Sequence, residues 1–423
     1  MEVKPGYKQT EVGVIPEDWN VAQLGDLKPF VTSGSRGWAS YYSERGDLFV
    51  RITNLSRGSI YLDLTDCKFV KLPAEAREGV RTQLNEHDVL ISITADIGIV
   101  GYVDKSVPSP AYINQHIALV RFDSSKTSGR FVSYFLASEK PQKLFRASTD
   151  TGAKAGMSLL TVQKIKTALP PLPEQFTIAT ALSDVDGLLG GLDRLIAKKR
   201  DLKQAAMQQL LTGQTRLPGF HGDWVPLNMA DNSTLKARIG WQGLTTAEYL
   251  KTGDYFLVTG TDFSEGRIAW SSCCFVAAQR YTQDRNIQLR AKDILLTKDG
   301  TIGKVAYVDH LPALATLNSG VFVIRPKNEA YDPHFFYYIL TSHIFDEFLN
   351  KLAAGSTISH LYQKDFVTFS FLVPPSLPEQ TAIAKVLTEM DGELAVLEQR
   401  REKTRALKQA MMQELLTGRT RII

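Results

Sequence analysis

The segment EQFTIATALSDVDGLLGGLDRLIAKKRDLKQAAMQQLLTGQTRL, residues 174–217, decides the architecture because the chain contains it twice. The second copy, EQTAIAKVLTEMDGELAVLEQRREKTRALKQAMMQELLTGRTRI, occupies residues 379–422, 205 positions later and without a gap. A long helical segment that recurs at this distance indicates two equivalent halves, each a globular unit followed by a helix. Such a plan suits a protein that contacts two places on one long ligand.

The same offset relates the globular units. Asp18-Trp19 recurs as Asp223-Trp224, and the segment DVLIS at 88–92 recurs as DILLT at 293–297, each 205 positions on. The residues between these matching frames differ. We therefore expect two diverged copies of one fold, in which the frame sets the fold and the loops set two distinct specificities.

Both copies of the helical segment carry the pattern of a coiled coil. Each follows a proline-rich stop, at 169–173 and 373–378, and proline suits the first helical turn because no hydrogen bond is lost there. Apolar residues then step by four and three, as in a coiled-coil seam. They are Ile178, Leu182, Val185, Leu189 and Leu192 in the first copy and Ile383, Leu387, Met390, Leu394 and Leu397 in the second.

Two such helices in one chain bury their seams most simply against each other, as an antiparallel pair. A helix over 174–211 would be about 57 Å long at ~1.5 Å per residue. The alternatives are that each helix packs on its own globular unit, or that the seams pair between two copies of the chain. An internal antiparallel pair would act as a spacer with one globular unit at each end.

The globular units are predicted to be α+β. In the first, β-type runs at 48–52, 88–93 and 117–122 accompany a helical stretch near 131–145; in the second, runs at 255–259, 293–297 and 320–325 accompany a helix over 333–352. We predict two repeated α+β domains separated by an antiparallel two-helix coiled-coil spacer. The predicted boundaries are 1–168 for the first domain, 169–216 for its helix, 217–372 for the second domain and 373–423 for its helix.

Composition excludes several classes of protein. The chain has 423 residues, of which 43% are apolar and 22% charged, and no apolar run reaches the length that spans a bilayer. We expect no membrane partner, and since the first residues lack the apolar core of a signal peptide, we expect a cytoplasmic protein. Three cysteines, without a CxxC pair, suggest neither a disulfide framework nor a zinc site. A net charge of +4 is a weak indication of a nucleic-acid ligand.

The spacer geometry nevertheless points to DNA. DNA-binding dimers hold two reading elements about one helical turn apart, roughly 34 Å, on two half-sites. Here a single chain would imitate the dimer. Because the two units differ in their loops, the site would be bipartite and asymmetric instead of palindromic.

Several segments resemble the specificity subunits of Type I restriction-modification systems. They are LPPLPEQ and PPSLPEQ before the two helices, IPEDW, the loops SGSRGWASYYSERGD and ARIGWQGLTTAEY, and the segments RITNLSRGSI and LLTKDGTIGKVAYV. The resemblance covers essentially the whole chain, in two copies. It implies two target-recognition domains that each bind half of a split sequence in double-stranded DNA, with helices that set their spacing.

The resemblance also implies partners. In this family the helices dock two methyltransferase subunits, which methylate an adenine in each half-site, and restriction subunits with translocase activity join in the full complex. S-adenosylmethionine, ATP and Mg are therefore expected only in partner subunits, with no cofactor and no metal in this chain. The sequence has no GxxxxGK[ST] phosphate loop and no NPP[FY]-type methyltransferase motif, which agrees with a non-catalytic role.

Two glycine-containing loops are candidate DNA contacts. Glycine lets the backbone approach a phosphate, and Arg and Gln are side chains that pair with guanine and adenine edges. The alternative is a surface turn whose tryptophan anchors the loop on the core. The candidates are Ser35, Arg36 and Trp38 in the first unit and Arg238, Trp241 and Gln242 in the second.

Further candidates lie at strand-to-turn junctions and in connectors. Thr94, Lys298 and Thr301 could hold phosphates, although plain hairpin turns explain the same residues. Lys154 and Ser356 lie where the helix of each domain joins its last strand, and a plain connector is the alternative there. The basic runs at 198–200 and 400–405 could face spacer DNA or a methyltransferase subunit, or form a solvated helix face.

Three hypotheses remain open from sequence. The first is a non-catalytic DNA-reading subunit of a methyltransferase and restriction complex. The second is an enzyme, a nuclease or methyltransferase with an active site in one half, against which the symmetry of the repeat argues. The third is a coiled-coil scaffold that binds proteins only, which would leave the two glycine loops without a role. A stand-alone DNA-binding or scaffold protein, or a nuclease-associated specificity module, without a Type I partner is the alternative to the first hypothesis.

Overall fold

The computed structural model describes residues 4–73, 77–149, 156–353 and 359–422. The chain forms two units, Met1–Arg194 with Gln399–Ile423, and Leu195–Glu398. Each long helix therefore contributes to both units, since one passes from the first to the second after Arg194 and the other returns after Glu398. The unit boundaries thus divide the helices, whereas the sequence prediction treated each helix as a separate segment.

The first unit alternates short strands and helices. Its strands are β1 (Tyr7–Thr10), β2 (Gly13–Pro16), β3 (Asn20–Gln23), β4 (Phe30–Ser33), β5 (Tyr42–Ser43), β6 (Asp47–Val50), β7 (Lys68–Val70), β8 (Val89–Ser92), β9 (Val100–Tyr102), β10 (Ala111–Ile113), β11 (Ile117–Arg121) and β12 (Lys166–Leu169). Its helices are α1 (Arg77–Thr82), α2 (Gly129–Ala137), α3 (Glu139–Thr149), α4 (Leu159–Gln163) and the first part of α5 (Leu172–Leu210).

The strands of the first unit form two larger sheets and two ribbons. One sheet has the antiparallel order β4-β11-β8-β9, and the other has the order β10-β6-β7-β5 with β10 parallel to β6. The ribbons pair β1 with β2 and β12 with β3. The apolar face of α2 packs on the first sheet, where every residue of β8 is buried. One hydrophobic core of the unit lies between them, and a second includes residues of both larger sheets.

The second unit uses the same kinds of element. Its strands are β13 (Val225–Asn228), β14 (Ser233–Lys236), β15 (Tyr255–Val258), β16 (Phe263–Ser264), β17 (Arg267–Ile268), β18 (Cys274–Phe275), β19 (Ile294–Thr297), β20 (Val305–Tyr307), β21 (Leu314–Leu317), β22 (Val321–Pro326) and β23 (Ser370–Val373). Its helices are α6 (Met229–Asn232), α7 (Ala278–Thr282), α8 (Pro333–Leu340), α9 (His343–Ala353), α10 (Gln363–Phe366) and the first part of α11 (Leu377–Leu415).

The sheets of the second unit repeat those of the first. The order β14-β22-β19-β20 corresponds to β4-β11-β8-β9, and β18-β15-β21 corresponds to β7-β6-β10, again with one parallel pair. The pair β13-β23 corresponds to β3-β12. The expectation that the two globular units are copies of one fold is thereby confirmed, and the observed fold is mixed α/β.

The structure corrects one predicted element in each unit. The single helix expected near 131–145 is two helices, α2 and α3, and the helix expected over 333–352 is α8 and α9. Pro141 in the first turn of α3 lacks an amide hydrogen, so a continuous helix would lose a bond there. At the second break the Ser342 hydroxyl accepts from the Ile344 amide and so starts the new helix.

Within each unit the long helices run antiparallel. In the first unit Asp186 pairs with Lys408 and Asp193 pairs with Arg401, so residue numbers rise on α5 as they fall on α11. Ile178 and Leu182 share a core cluster with Leu415 and Leu416 in this unit. In the second unit Ile383 and Leu387 share a cluster with Leu210 and Leu211.

The glutamate that opens each repeat binds an arginine from the end of the other long segment. In the first unit Arg421 Nη2 lies 2.7 Å from Glu174 Oε2, and the Trp19 indole donates to the same oxygen. In the second unit Arg216 Nη2 lies 2.6 Å from Glu379 Oε2. Both glutamates are buried. The repeated glutamate and the arginine of the repeated GxTR segment are therefore the partners of one ion pair in each unit.

The glutamine after that glutamate caps the domain helix. Gln175 Oε1 accepts from the amide of Ser128, which precedes α2, at 2.9 Å. Gln380 Oε1 accepts from the amide of Asp332, which precedes α8, at 2.8 Å. Each buried glutamine thus joins a long helix to the domain beside it. In the described part of the chain, no helix is both long and apolar enough to cross a membrane.

Candidate nucleic-acid interface

Three segments come together at one edge of the first unit. Gly34 lies so close to the backbone of Asn114 that an added Cβ would stand 2.2 Å from the Asn114 carbonyl carbon. Asn114 Oδ1 accepts from the His116 amide, and the His116 ring hydrogen-bonds the Thr94 hydroxyl. We call this set, residues 33–38, 93–98 and 113–116, the first loop edge.

The corresponding segments of the second unit also meet. Arg238 donates to the carbonyl of Leu317 at 2.9 Å, and the Asn318 side chain donates to the Tyr249 hydroxyl at 2.8 Å. The Lys298 amide donates to the carbonyl of Gly320 at 2.9 Å. Residues 238–243, 297–303 and 317–320 thus form the second loop edge. The structure brings the predicted loop and the predicted turn together in both units.

The hairpins β8–β9 and β19–β20 have the same kind of turn at their tips. The Ser92 hydroxyl accepts from the Ile99 amide at 2.8 Å, and the Thr297 hydroxyl accepts from the Lys304 amide at 2.9 Å. Gly98 and Gly303 have φ of +84° and +86°, a conformation that favours glycine. These shared residues explain why the frame repeats at this position.

The side chains on the two tips differ. In the first unit Thr94 binds His116, and Arg57 from outside the hairpin binds Asp96. In the second unit Asp299 binds both Lys298 and His360. The two tips therefore present different hydrogen-bonding groups on the same backbone.

Lys298 is restrained by its neighbours. Its ammonium lies 2.7 Å from Asp299 Oδ2 and 5.9 Å from the centroid of the Phe322 ring, and its side chain is 13% exposed. Burial pushes the pKa of Asp299 upward, but hydrogen bonds and charges from Lys298 and His360 outweigh burial and hold that pKa below its ordinary value. Asp299 thus stays ionised and partly neutralises Lys298. Thr301, on the same tip, is exposed.

The first glycine loop separates an exposed arginine from a buried tryptophan. Arg36 is exposed, and the hydroxyl of Ser35 accepts a 2.8 Å hydrogen bond from Arg81. Trp38 is 3% exposed and stacks on Phe49, with ring centroids 4.9 Å apart. Trp38 therefore anchors the loop on the core, which was the alternative to DNA contact given for this tryptophan.

The second glycine loop buries its polar candidates. Arg238 is 3% exposed and Gln242 is 6% exposed. Among the described residues, Arg238 Nη1 and Gln242 Oε1 have no hydrogen-bond partner. Burial lowers the pKa of Arg238, with a further contribution from Arg280. Contact between either side chain and DNA requires this loop to open. The Trp241 side chain, Lys154 and Ser356 lie outside the described residues.

Most of the basic residues on the helices have acidic partners. Lys199 pairs with Glu393 and Arg200 with Glu398 in the second unit, whereas Arg401 pairs with Asp193 in the first. These pairs describe a solvated, charge-compensated helix face, one of the alternatives for the basic runs. These ion pairs reduce the positive charge that the helices could offer to a DNA phosphate.

The predicted seam residues are covered. The buried ones are Ile178, Leu182, Leu192, Ile383, Leu387 and Leu394, and those partly buried are Val185, Leu189, Met390 and Leu397. Leu202 and Leu407, further along the two helices, are 48% and 54% exposed. The four-three pattern therefore identifies the covered face in the first part of each helix. Further along, Leu210 and Leu415 are buried again.

Sequence reasoning missed the side chains that hold the loop edges. Arg57 and Arg81 restrain the tip and loop of the first edge, and His360 restrains the tip of the second. They lie between the repeated frames, so the 205-residue offset carries no signal for them. Among the described residues, no group of three or more His, Cys, Asp or Glu side chains could hold a metal ion.

Comparison with known proteins places both units in one family. The family model for the Type I restriction modification DNA specificity domain matches residues 16–196 and 244–405. The MjaX specificity subunit of Methanocaldococcus jannaschii is 25% identical over 98% of this chain and 97% of that protein. The type I restriction enzyme MjaVIII specificity subunit of the same organism is 24% identical over 96% of this chain and 94% of its own length.

A solved structure has a similar fold. The crystal structure of the Type-I restriction-modification system S subunit from M. genitalium matches with a TM-score of 0.62, covering 98% of both chains. At 14% sequence identity this match shows the fold alone.

Proposed function

The chain belongs to the family of Type I restriction-modification DNA specificity subunits, and from that membership we propose that it reads an asymmetric, two-part site in double-stranded DNA. Each unit would bind one half-site through its loop edge. The chain itself would carry out no chemistry. The alternative of a stand-alone binding or scaffold protein has no observation in its favour.

One observation carries the proposal: the two units repeat a backbone frame but not the side chains at its edge. Thr94 and His116 stand on the first loop edge, where Lys298 and Asp299 stand on the second. Bases are read by the donors and acceptors that side chains present in the groove. Two edges with different groups would therefore read two different half-sites.

The long helices would set the distance between the half-sites. Each has 39 residues, about 58 Å at ~1.5 Å per residue. The antiparallel pairing within each unit supports an internal coiled-coil spacer. The gap in the DNA site would then have a fixed length of unspecified bases, since contacts to phosphates in the gap carry no sequence information.

Partner subunits would supply the chemistry. We propose that the helices dock two methyltransferase subunits, and that restriction subunits with translocase activity join through them. S-adenosylmethionine, ATP and Mg would bind those partners. The complex would act on DNA in the cytoplasm.

Exposure separates the candidate contacts. Arg36 and Thr301 are exposed in the structure, so each could reach DNA directly. Arg238 and Gln242 would contribute only after their loop opens, which would also satisfy their unpaired polar atoms. Trp38 would contribute by holding its loop.

The adenine methylation pattern tests this proposal. Cells carrying the chain with its methyltransferase subunit should methylate a two-part motif with a fixed gap. Sequencing that detects methylated adenine gives the motif directly, and cells with the methyltransferase subunit alone are the control. A contiguous motif, a palindromic motif or an absence of methylation would contradict the proposal.

A further inference from the structure

Each unit brings together a tyrosine, an aspartate and a lysine where the long helices meet the domain. In the first unit the Tyr134 hydroxyl, on α2, donates to Asp186 Oδ2 at 2.7 Å. Lys408 Nζ lies 2.6 Å from Asp186 Oδ1 and 5.8 Å from the centroid of the Tyr134 ring. One contact thus joins α2, α5 and α11. We call these three residues the first triad.

The second unit contains the same arrangement. The Tyr338 hydroxyl, on α8, donates to Asp391 Oδ2 at 2.9 Å. Lys203 Nζ lies 2.5 Å from Asp391 Oδ1 and 5.7 Å from the centroid of the Tyr338 ring. The aspartates and the lysines of the two triads are each 205 positions apart in sequence. The arrangement therefore belongs to the repeated frame and not to the differing loops.

The first triad is the more deeply buried. The side chains of Asp186 and Lys408 are 9% and 10% exposed, against 37% and 23% for Asp391 and Lys203. Burial raises the pKa of the Tyr134 and Tyr338 hydroxyls, so both remain protonated donors at neutral pH. Each tyrosine hydroxyl can therefore donate to its aspartate throughout the physiological pH range.

Apolar packing alone defines the helix register poorly. A seam that repeats every seven residues can re-form after a slide of one heptad. The same slide would carry a lysine about 10 Å from its aspartate, at ~1.5 Å per residue. A buried charge without its partner is strongly unfavourable, so a triad is satisfied at one register only. The tyrosine extends this restriction to the domain.

We propose that the two triads fix the register of the helices against each recognition domain, and thereby the length of the gap between half-sites. This inference rests on the proposed function, in which the helices set that distance. The six residues are positioning residues, since they would act through the helices. Because the first triad is the more buried, its loss has the larger effect.

The test removes both charges of one triad and measures gap preference. The double variant Asp186→Leu with Lys408→Met replaces the pair by apolar side chains, and Asp391→Leu with Lys203→Met does so in the second unit. Each is assembled with the methyltransferase subunit and offered DNA with the preferred gap or a gap one base pair shorter or longer. We expect the preference for the native gap to fall about tenfold, equivalent to ~1.4 kcal/mol.

A matched control removes an exposed pair between the same helices. Lys199→Met with Glu393→Leu deletes a pair whose side chains are 36% and 58% exposed, and it should leave the gap preference unchanged. A folded triad variant that keeps the native preference within twofold would overturn the proposal. So would an equal loss of preference in the control.

If the double variants do not fold, single tyrosine variants test whether the triads fix the gap length. Tyr134→Phe and Tyr338→Phe keep both charges and remove only the hydroxyl bond to the aspartate. Each should relax the gap preference in the same direction, and a preference unchanged in both would overturn the proposal. If the wild-type complex methylates no two-part motif, the proposed function fails and not the triads' role in the helices.

Discussion

Arg36 is the exposed basic side chain of the first glycine loop, and its exposure makes it the residue on which direct contact is most simply tested. We predict that Arg36→Ala weakens DNA binding by the assembled complex. If the contact is to a phosphate, the slope of log affinity against log salt concentration should decrease in magnitude by about one. The decrease should be the same for every DNA sequence. Titrations at several salt concentrations measure this slope.

A matched control for Arg36 is Lys126→Ala. Lys126 is 78% exposed in the same unit but lies in a different loop, paired with Asp123. That variant should leave both affinity and slope unchanged. An Arg36→Ala complex with wild-type affinity at every salt concentration would show that the first loop does not contact DNA.

Glycines give a second prediction for single residues. A Cβ at Gly98 would lie 2.4 Å from Phe145 Cγ, whereas one at Gly303 would lie 2.8 Å from the flexible end of Leu349. Both also have positive φ. Gly98→Ala should therefore cost about 2–4 kcal/mol of unfolding free energy and Gly303→Ala about 1–2 kcal/mol.

The control for the glycine pair is a helical glycine in open space. Nothing lies within 4 Å of a Cβ added at Gly392, so Gly392→Ala should stabilise α11 by about 0.5–1 kcal/mol. Urea unfolding of the three variants gives the order. A Gly98→Ala protein as stable as the wild type would contradict the account of the hairpin tip.

At the residue scale the sequence predicted positions better than roles. The offset located both glycine loops and both hairpin tips, because shared glycines and hydroxyls mark the turns. It could not show that Trp38 and Arg238 point inward, since side-chain direction in a loop depends on segments far along the chain. Arg238 is buried by contacts with residues 316 and 317, which periodicity does not connect to it.

Helix α8 of the second unit carries a histidine, whose charge depends on pH, where the first unit has an arginine. His334 on α8 stacks on Tyr307 of β20, with centroids 4.4 Å apart and planes at 8°, and burial lowers the pKa of this histidine. At the corresponding place in the first unit Arg130 lies 5.3 Å from the centroid of the Tyr102 ring. The charged neighbours of His334 are Asp332, Arg267, Asp391 and Asp309.

The lowered pKa predicts acid sensitivity in the second unit. The folded state favours neutral His334, so below its ordinary pKa of 6.5 the unfolded state binds more protons and stability falls with falling pH. Hydrogen exchange of β20 and α8 should accelerate between pH 7 and 5.5, after correction for the intrinsic pH dependence. Elements β9 and α2 provide the internal comparison.

The variant His334→Phe keeps an aromatic ring and removes the titration. In this variant the corrected exchange of β20 and α8 should no longer change over that pH range. Equal acid sensitivity in wild type and variant would show that another group is responsible.

At the element scale, the helix predicted over 174–211 is observed as Leu172–Leu210, within two residues at each end. The domain helices were predicted less closely, because the breaks before Glu139 and His343 depend on local capping that an apolar pattern passes over. The buried pairs that join the helices, Glu174 with Arg421 and Glu379 with Arg216, were also missed. Their repeat at 205 positions was visible, but pairing partners cannot be read from an offset alone.

At the scale of the whole molecule, the proposed function requires a helical spacer that would hold two unlike reading domains apart. The repeated sheets and the differing loop edges are evidence for two reading domains. The paired helices within each unit are evidence for a spacer. The length of the gap between half-sites and the preference for half-site sequences should then be separable properties. The domains would determine the half-sites, and the helices would determine the gap.

Lengthening both helices by four residues, about one turn, tests that separation most directly. The insertions should fall at equivalent positions, after Gly187 in α5 and after Gly392 in α11, which are 205 residues apart. About 6 Å of added helix corresponds to roughly two base pairs at ~3.4 Å each. Methylation mapping of the complex should show a gap longer by about two base pairs with both half-sites unchanged. Altered half-sites, or an unchanged gap in an active complex, would contradict the account.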